Sequence, residues 1–407
     1  MNNQNNAQSQ FSSYAVFLWT CCAIGFTAYF GPYMRMPIVP LFARSLGAST
    51  ILVGLINSSF LLMTGLLSIP CGILSDRLGR KLFIVMGLLV VSMTSFLLCL
   101  SSSPHQLIGL YFLFGLGFAA VGPTMMSVVA DFSPTTHLGR SYGWYTTAIY
   151  GGMSLGPAVG GFVAGSLGYS SVFVISGLFT MFTAALTLFC LPRRPVHARA
   201  IARTGRKTLD KVKDLLHNRS FCASCLATFS VCFGMGMFIT FMPLHAQEHG
   251  IGVFNIGLVF ATQAICNALS RIPFGAMSDR ISNRSHMVLA GLIGFSISIA
   301  SLGASTTVVT FTLSTIGIGF SLGVTFTALG ALVSESVSKD SRGLSMGLYN
   351  SCIYLGMMAS SGSMGVVSSL IGFRDTFFAT ALFTLVAAFL FLVLFRGVPA
   401  RGTTVAE

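Results

Sequence analysis

The sequence predicts an all-α membrane protein of twelve transmembrane helices arranged as two six-helix halves. Composition, long apolar runs and an internal repeat carry this reading. Hydrophobic residues make up 54% of the 407-residue chain and charged residues only 8%, against about 25% charged in a soluble domain. A spanning helix needs about 20 apolar residues, and the chain supplies twelve such runs. Landmarks in the first six runs return in the last six. Pro40-Leu41 recurs as Pro243-Leu244, and Gly72…Asp76-Arg77 as Gly275…Asp279-Arg280, both 203 residues on. Gly115-Leu116-Gly117-Phe118 recurs as Gly317-Ile318-Gly319-Phe320 at 202, and Asp131 corresponds to Glu335 at 204. Two parallel repeats related by an axis along the membrane normal place a substrate site at their interface, near mid-membrane.

In chain order, residues 1–13 form an Asn/Gln-rich polar tail, expected to be disordered. It has neither the basic start nor the small-residue cleavage site of a signal peptide. Spans 1 to 6 are expected at 14–42, 51–75, 82–102, 105–130, 142–166 and 170–192, giving an N-terminal half over 14–192. A basic linker follows at 193–221. Spans 7 to 12 are expected at 222–247, 253–276, 286–305, 307–335, 343–369 and 374–396, giving a C-terminal half over 222–396 and a tail at 397–407.

Charge sets the orientation. The connections after even-numbered spans, with both tails, hold 19 of the 23 Lys and Arg residues. The opposite connections hold only Arg44 and Arg374, while Arg35 and Arg271 fall inside spans. Positive loops stay inside, so both termini are expected in the cytoplasm, with the chain in the cytoplasmic (inner) membrane. The linker carries nine Lys/Arg between Arg193 and Arg219, against Asp210 and Asp214. Within it, Leu209, Val212, Leu215 and Leu216 predict a short amphipathic helix over Thr208–Leu216 at the lipid surface. The net charge of +13 is thus a membrane-topology signal, and no nucleic acid is expected. Cys222 and Cys225 have metal-like spacing, but no second pair follows at ligand distance. The ten cysteines read as small packing residues, and no metal or cofactor is expected. No Gly-x-x-x-x-Gly-Lys-[Ser/Thr] loop exists, which disfavours ATP-driven pumping.

Between spans 2 and 3 the chain reads Gly72-Ile73-Leu74-Ser75-Asp76-Arg77-Leu78-Gly79-Arg80-Lys81, four charges within six residues. This run resembles the signature loop of the major facilitator superfamily, and with the repeat the resemblance extends over nearly the whole chain. It implies a secondary transporter, not an enzyme, working by alternating access. By the same resemblance, Gly72, Asp76, Arg77, Gly79, Arg80 and Lys81, with Asp131 at the end of span 4, form a conformational latch. Asp279, Arg280 and Glu335 are its counterparts in the second half. In span 5, Gly152, Gly156, Pro157, Gly160 and Gly161 resemble the Gly/Pro seam of exporters in the superfamily, above all drug:proton antiporters. Glycines at four-residue spacing let helices approach closely, and a proline bends the helix. The matching stretch of span 11, from Leu355 to Met364, lacks the proline.

Two departures from the drug antiporters stand out. Their span 4 usually carries an Arg four residues before the first glycine of the Gly-x-Gly pair, where this chain has Tyr111. No Asp or Glu lies in the middle of any span.

Arg35 is the candidate substrate anchor. It lies about 13 Å below the outer turn of span 1 at 1.5 Å per residue, and a charge at that depth is a functional candidate by default. Snorkelling to outer headgroups, or pairing with Glu248, is the structural alternative. Arg271 reads instead as a charge at the cytoplasmic gate, near Asp279. Around Arg35 the expected lining is Tyr29, Tyr33, Asn57, Tyr145, Tyr150, Gln263, Asn267, Asn350 and Tyr354, isolated polar groups in apolar spans that need partners. His245 is a weak proton carrier so near the outer end of span 7. The reading is a monomeric exporter of a small amphipathic or anionic compound in exchange for protons. The alternatives are a symporter taking up an organic acid or other metabolite, and a non-transporting membrane sensor.

Overall fold

The structure is a computed structural model describing residues 2–133, 137–192, 213–215, 217–281, 284–336 and 342–396. Among these residues every regular element is a helix. Spans 2 to 6 are Thr50–Leu78, Arg80–Cys99, Pro104–Phe132, Leu138–Leu167 and Tyr169–Cys190. Spans 7 to 10 are Arg219–Glu248, Val253–Arg280, Ser285–Gly303 and Val308–Glu335. The last element, Arg342–Arg396, is two helices joined at Gly372, whose φ of 79° and ψ of 168° break the helical path. It supplies spans 11 and 12.

Helix starts follow side-chain caps. The Ser49 hydroxyl accepts from Leu52 N at 3.3 Å, and the Asn218 side chain accepts from Phe221 N at 3.2 Å. Ser103 and Gln106 form a capping box ahead of Pro104, which needs no N–H partner there. Spans 5 and 6 meet at Gly168, at φ 82°, 204 residues before Gly372. The repeat therefore reaches down to the turn glycines.

Span 1 differs from the single helix expected over 14–42. The helix Asn2–Met34 ends at a turn over Arg35–Pro37, and a second short helix, Ile38–Ser45, completes the crossing. Pro37 has no N–H to donate back to the preceding turn. The chain restarts instead on the Arg35 carbonyl, which accepts from Ile38 N and Val39 N, both at 3.0 Å. The N-terminal segment also departs from expectation, because its backbone stays helical back to Asn2. Nothing in that Asn/Gln/Ala/Ser stretch breaks a helix once span 1 has nucleated it. The amphipathic helix expected over 208–216 lies mostly outside the described residues, of which 213–215 are helical.

Spans 1 and 5, 2 and 4, 8 and 10, and 7 and 11 pack within their halves, while spans 2 and 11 and spans 5 and 8 pack between them. Large apolar side chains such as Phe189, Ile272 and Leu370 point outward, the polarity that suits lipid. Buried hydroxyls return to their own helix: Thr180, Thr183 and Thr187 of span 6 each donate to the carbonyl four residues back, at 2.8 Å. In lipid such pairing is obligatory.

Candidate functional site

The two halves meet most tightly on the side opposite the linker. There the Asn57 amide of span 2 donates to the Thr240 hydroxyl of span 7 at 2.6 Å and the Ser361 hydroxyl of span 11 at 3.2 Å. Thr240 and Ser361 are themselves bonded at 2.8 Å, and Ser58 donates to the Met358 carbonyl at 3.1 Å. Backbones also touch. A Cβ on Gly161 of span 5 would lie 2.8 Å from the Val253 carbonyl and 2.9 Å from Gly257 Cα of span 8. Only glycine permits this approach. Toward the linker side, the glycines that face the other half meet side chains: Gly65 faces Tyr354 and Gly347 faces Ile69.

The span 5 glycines work on two faces. Gly152, Gly156 and Gly160 each sit on a span 1 carbonyl, those of Phe26, Phe30 and Met34 in step, and a Cβ on Gly156 would lie 2.8 Å from Phe30 O. Gly161 and the Pro157 carbonyl instead meet Gly257 in the other half. One motif thereby fixes span 1 against span 5 and seals the interface.

Between the closed side and the linker side lies a cluster of tyrosines. Tyr29 and Tyr33 of span 1 have ring centroids 6.0 Å apart, and Tyr29 sits edge-on to Phe118 of span 4 at 5.2 Å. Tyr29, Tyr33, Tyr150 and Tyr354 lie close enough to interact electrostatically, although Tyr354 belongs to the second half. Arg271 of span 8 completes the cluster. Its guanidinium carbon lies 4.3 Å from the Tyr150 ring centroid, across the interface, and 5.9 Å from that of Phe326 in span 10. Its Nε donates to the Asn267 side-chain oxygen at 3.0 Å, one turn back on the same helix. Tyr349 is within electrostatic reach of both Arg271 and Tyr150. Position along the sequence alone reads Arg271 as a gate charge and does not single out Tyr349.

Other candidates lie elsewhere. Arg35, expected to open into the cavity, is fully enclosed in the N-terminal half. Its Nη2 donates to the Thr94 hydroxyl of span 3 at 3.3 Å, and its carbon stacks 4.1 Å from the Phe114 ring of span 4. The break in span 1 turns the side chain into its own bundle, away from headgroups and Glu248 alike. Tyr145 is buried against Gly25 within the same half. Gln263 is buried where span 8 meets Gly319 of span 10. Asn350 is exposed on span 11. His245 is buried among Phe311, Phe373 and Phe377.

The charges at the linker side form two matched brackets. Arg80 pairs with Asp131, donates to the Ser127 carbonyl at 2.9 Å and holds Asp76 at 2.9 Å. Arg284 pairs with Glu335 and donates to the Ser278 carbonyl at 3.1 Å. Arg284 stands 204 residues after Arg80, the same offset that links Asp131 to Glu335, and that spacing identifies it from sequence. Gly79, at φ 94° and ψ 119°, makes the one-residue turn that brings Arg80 under span 4. Gly72 has open space where a Cβ would go, and Arg77 is exposed. The Lys81 side chain is half-buried. The Asp279 and Arg280 side chains lie outside the described residues.

The chain matches the family model described as Major Facilitator Superfamily over residues 21–231 and 224–407. It is 27% identical over 369 residues to an uncharacterized MFS-type transporter of Methanocaldococcus jannaschii, covering 89% of this chain and 93% of that one. It is 25% identical to the multi-drug resistance efflux pump PmrA of Streptococcus pneumoniae, covering 91% and 95%. It is also 25% identical to the quinolone resistance protein NorA of Staphylococcus aureus, covering 61% and 63%. Its fold matches a bacterial homolog of the human lysosomal transporter Spinster, with a TM-score of 0.80 at 16% identity over 94% of this chain and 97% of the other. With its twelve spans, repeated halves and paired brackets, this chain belongs to the Major Facilitator Superfamily of transporters.

Proposed function

We propose that this chain, as a monomer, exports a small amphipathic organic compound across the cytoplasmic membrane in exchange for protons. The observation that carries the proposal is the cluster of Tyr29, Tyr33, Tyr150, Tyr354 and Arg271 between the halves, under a side closed by backbone contact. Phenol rings offer apolar faces and polar edges together, which suits a substrate with both. The positive-inside distribution supports a cytoplasmic linker and cytoplasmic termini, so this conformation would load from within. The exporter-like seam of span 5 and the efflux relatives support the direction. A second reading, uptake of an organic acid by proton symport, is favoured by the lack of any acid in the middle of a span.

The latch role of Asp76, Arg77, Arg80, Asp131, Arg284 and Glu335 belongs to the same proposal. Brackets that hold within each half in one state and reach across in the other bias the equilibrium by the difference alone.

The test is accumulation of the fluorescent quinolone norfloxacin in an efflux-deficient bacterial host. Export predicts lower cell-associated norfloxacin with the chain than without it, and restoration by an uncoupler. Higher accumulation with the chain would establish uptake instead. Reporter fusions within 193–219 should report the cytoplasm, and an external signal would overturn the orientation.

A further inference from the structure

We infer that Arg271 is the docking point for a carboxylate on the substrate, so that the site selects organic anions and zwitterions over lipophilic cations. This rests on the reading above that the interface between the halves is the substrate site. Three features of Arg271 lead there.

The first is preorganisation. Asn267 holds Nε at 3.0 Å and the Tyr150 ring lies 4.3 Å from the guanidinium carbon. One edge and one face of the planar group are therefore fixed. The two terminal nitrogens make no hydrogen bond among the described residues, and they are not among the sealed, unpartnered polar atoms. What remains open is the end of the fork that binds a carboxylate through two parallel hydrogen bonds.

The second is uncompensated charge. Arg271 lies nine residues before the end of span 8, about 14 Å along the helix. None of the ten Asp and Glu residues lies inside a span at that depth. An ionised group held in the membrane interior is expensive without a partner. A bound carboxylate supplies one, whereas a cation would add to the repulsion.

The third is the surroundings. Tyr29, Tyr33, Tyr150 and Tyr354 make no hydrogen bond through their hydroxyls among the described residues. They leave aromatic faces for the apolar body of a substrate whose carboxylate is held at Arg271, beside the Tyr150 ring. Arg35 offers no such access, because its unpartnered Nε and Nη1 are sealed inside the N-terminal half.

The test is equilibrium binding to the purified full-length protein in detergent, followed by probe fluorescence. Three probes share one aromatic body: dansylglycine, its neutral primary amide, and the cationic dansyl ethylenediamine. The wild type should bind dansylglycine at least tenfold more tightly than the amide, and the cation most weakly. Arg271→Gln should reduce the carboxylate preference below twofold while the fold is kept, read as an unchanged Tm. Arg271→Lys should retain only part of the preference, since the charge stays and the fork is lost. Failure of dansylglycine to bind, equal binding of acid and amide, or a preference that survives Arg271→Gln would each overturn the inference. Loss of the preference in Arg35→Gln but not in Arg271→Gln would overturn it in favour of the other arginine. Binding in detergent has no direction, so this result stands apart from whether the chain exports or imports.

Discussion

Gly257→Ala should loosen the closed side of the protein without unfolding it. A Cβ at that position would lie 2.5 Å from the Pro157 carbonyl and 3.0 Å from Gly161 Cα. Both are backbone atoms of span 5, so no side chain can rotate away. Reaching ordinary contact near 3.4 Å means moving two whole helices apart by about 0.9 Å, and overpacking of this kind costs roughly 1–3 kcal/mol. Spans 5 and 8 belong to different halves, so the strain is relieved by the opening that alternating access requires. Such a difference corresponds to roughly a 5- to 150-fold shift in population. Hydrogen exchange read by mass spectrometry would show faster exchange in peptides covering 157–168 and 252–262, with spans 3 and 9 unchanged. Gly109→Ala, where nothing lies within 4 Å, is the matched control and should leave exchange as it was. If Gly257→Ala leaves both interface peptides unchanged, or accelerates exchange everywhere, the proposed coupling between this contact and closure is wrong.

Three other outcomes follow from the same geometry. Asn57→Ala should weaken closure by about 1–3 kcal/mol, at roughly 0.5–1.5 kcal/mol for each of the two lost hydrogen bonds. Thr240 and Ser361 keep each other as partners, and the readout is faster exchange at the far-side ends of spans 7 and 11. Gly79→Ala should destabilise the N-terminal half by about 1–3 kcal/mol, because φ 94° with ψ 119° is closed to a side chain. A lowered Tm in detergent would show it. Asp131→Asn should change stability by no more than about 1 kcal/mol, since the Asp131 side chain is 39% exposed in its pair with Arg80. A much larger fall in denaturation stability would make the bracket a core element and not a latch.

The parts of this fold written as local pattern were legible in the sequence. Apolar run length anticipated the long helices; among the described residues ten elements are long and apolar enough to cross a membrane, counting as one the last two helices, a 55-residue element interrupted only at Gly372. Repeat offsets paired Asp131 with Glu335, and the same arithmetic reaches Arg284 from Arg80. What escaped was direction. Depth along span 1 singled out Arg35, but that helix ends at Met34 and the Arg35 side chain is enclosed in its own half, against Thr94. Position along span 8 placed Arg271 at the gate, yet helix phase carries it to Tyr150 in the other half. Polar residues in apolar spans were recognised as needing partners. Whether the partner is a substrate or another helix, as for Asn57, depends on packing between halves that one-dimensional spacing does not encode.

The most direct measurement of the central claim is norfloxacin movement in proteoliposomes of the purified protein under an imposed proton gradient. Opposite-facing molecules can be silenced with an impermeant thiol reagent on a single cysteine introduced at the side opposite the linker, in a cysteine-free background. With the cytoplasmic face outward and the lumen acidic, the account predicts norfloxacin accumulation with matching alkalinisation of the lumen. Both should be abolished by nigericin and by Gly160→Val, whose side chain would collide with the Met34 carbonyl of span 1. Accumulation only when protons flow in the same direction as norfloxacin would contradict proton exchange and establish symport.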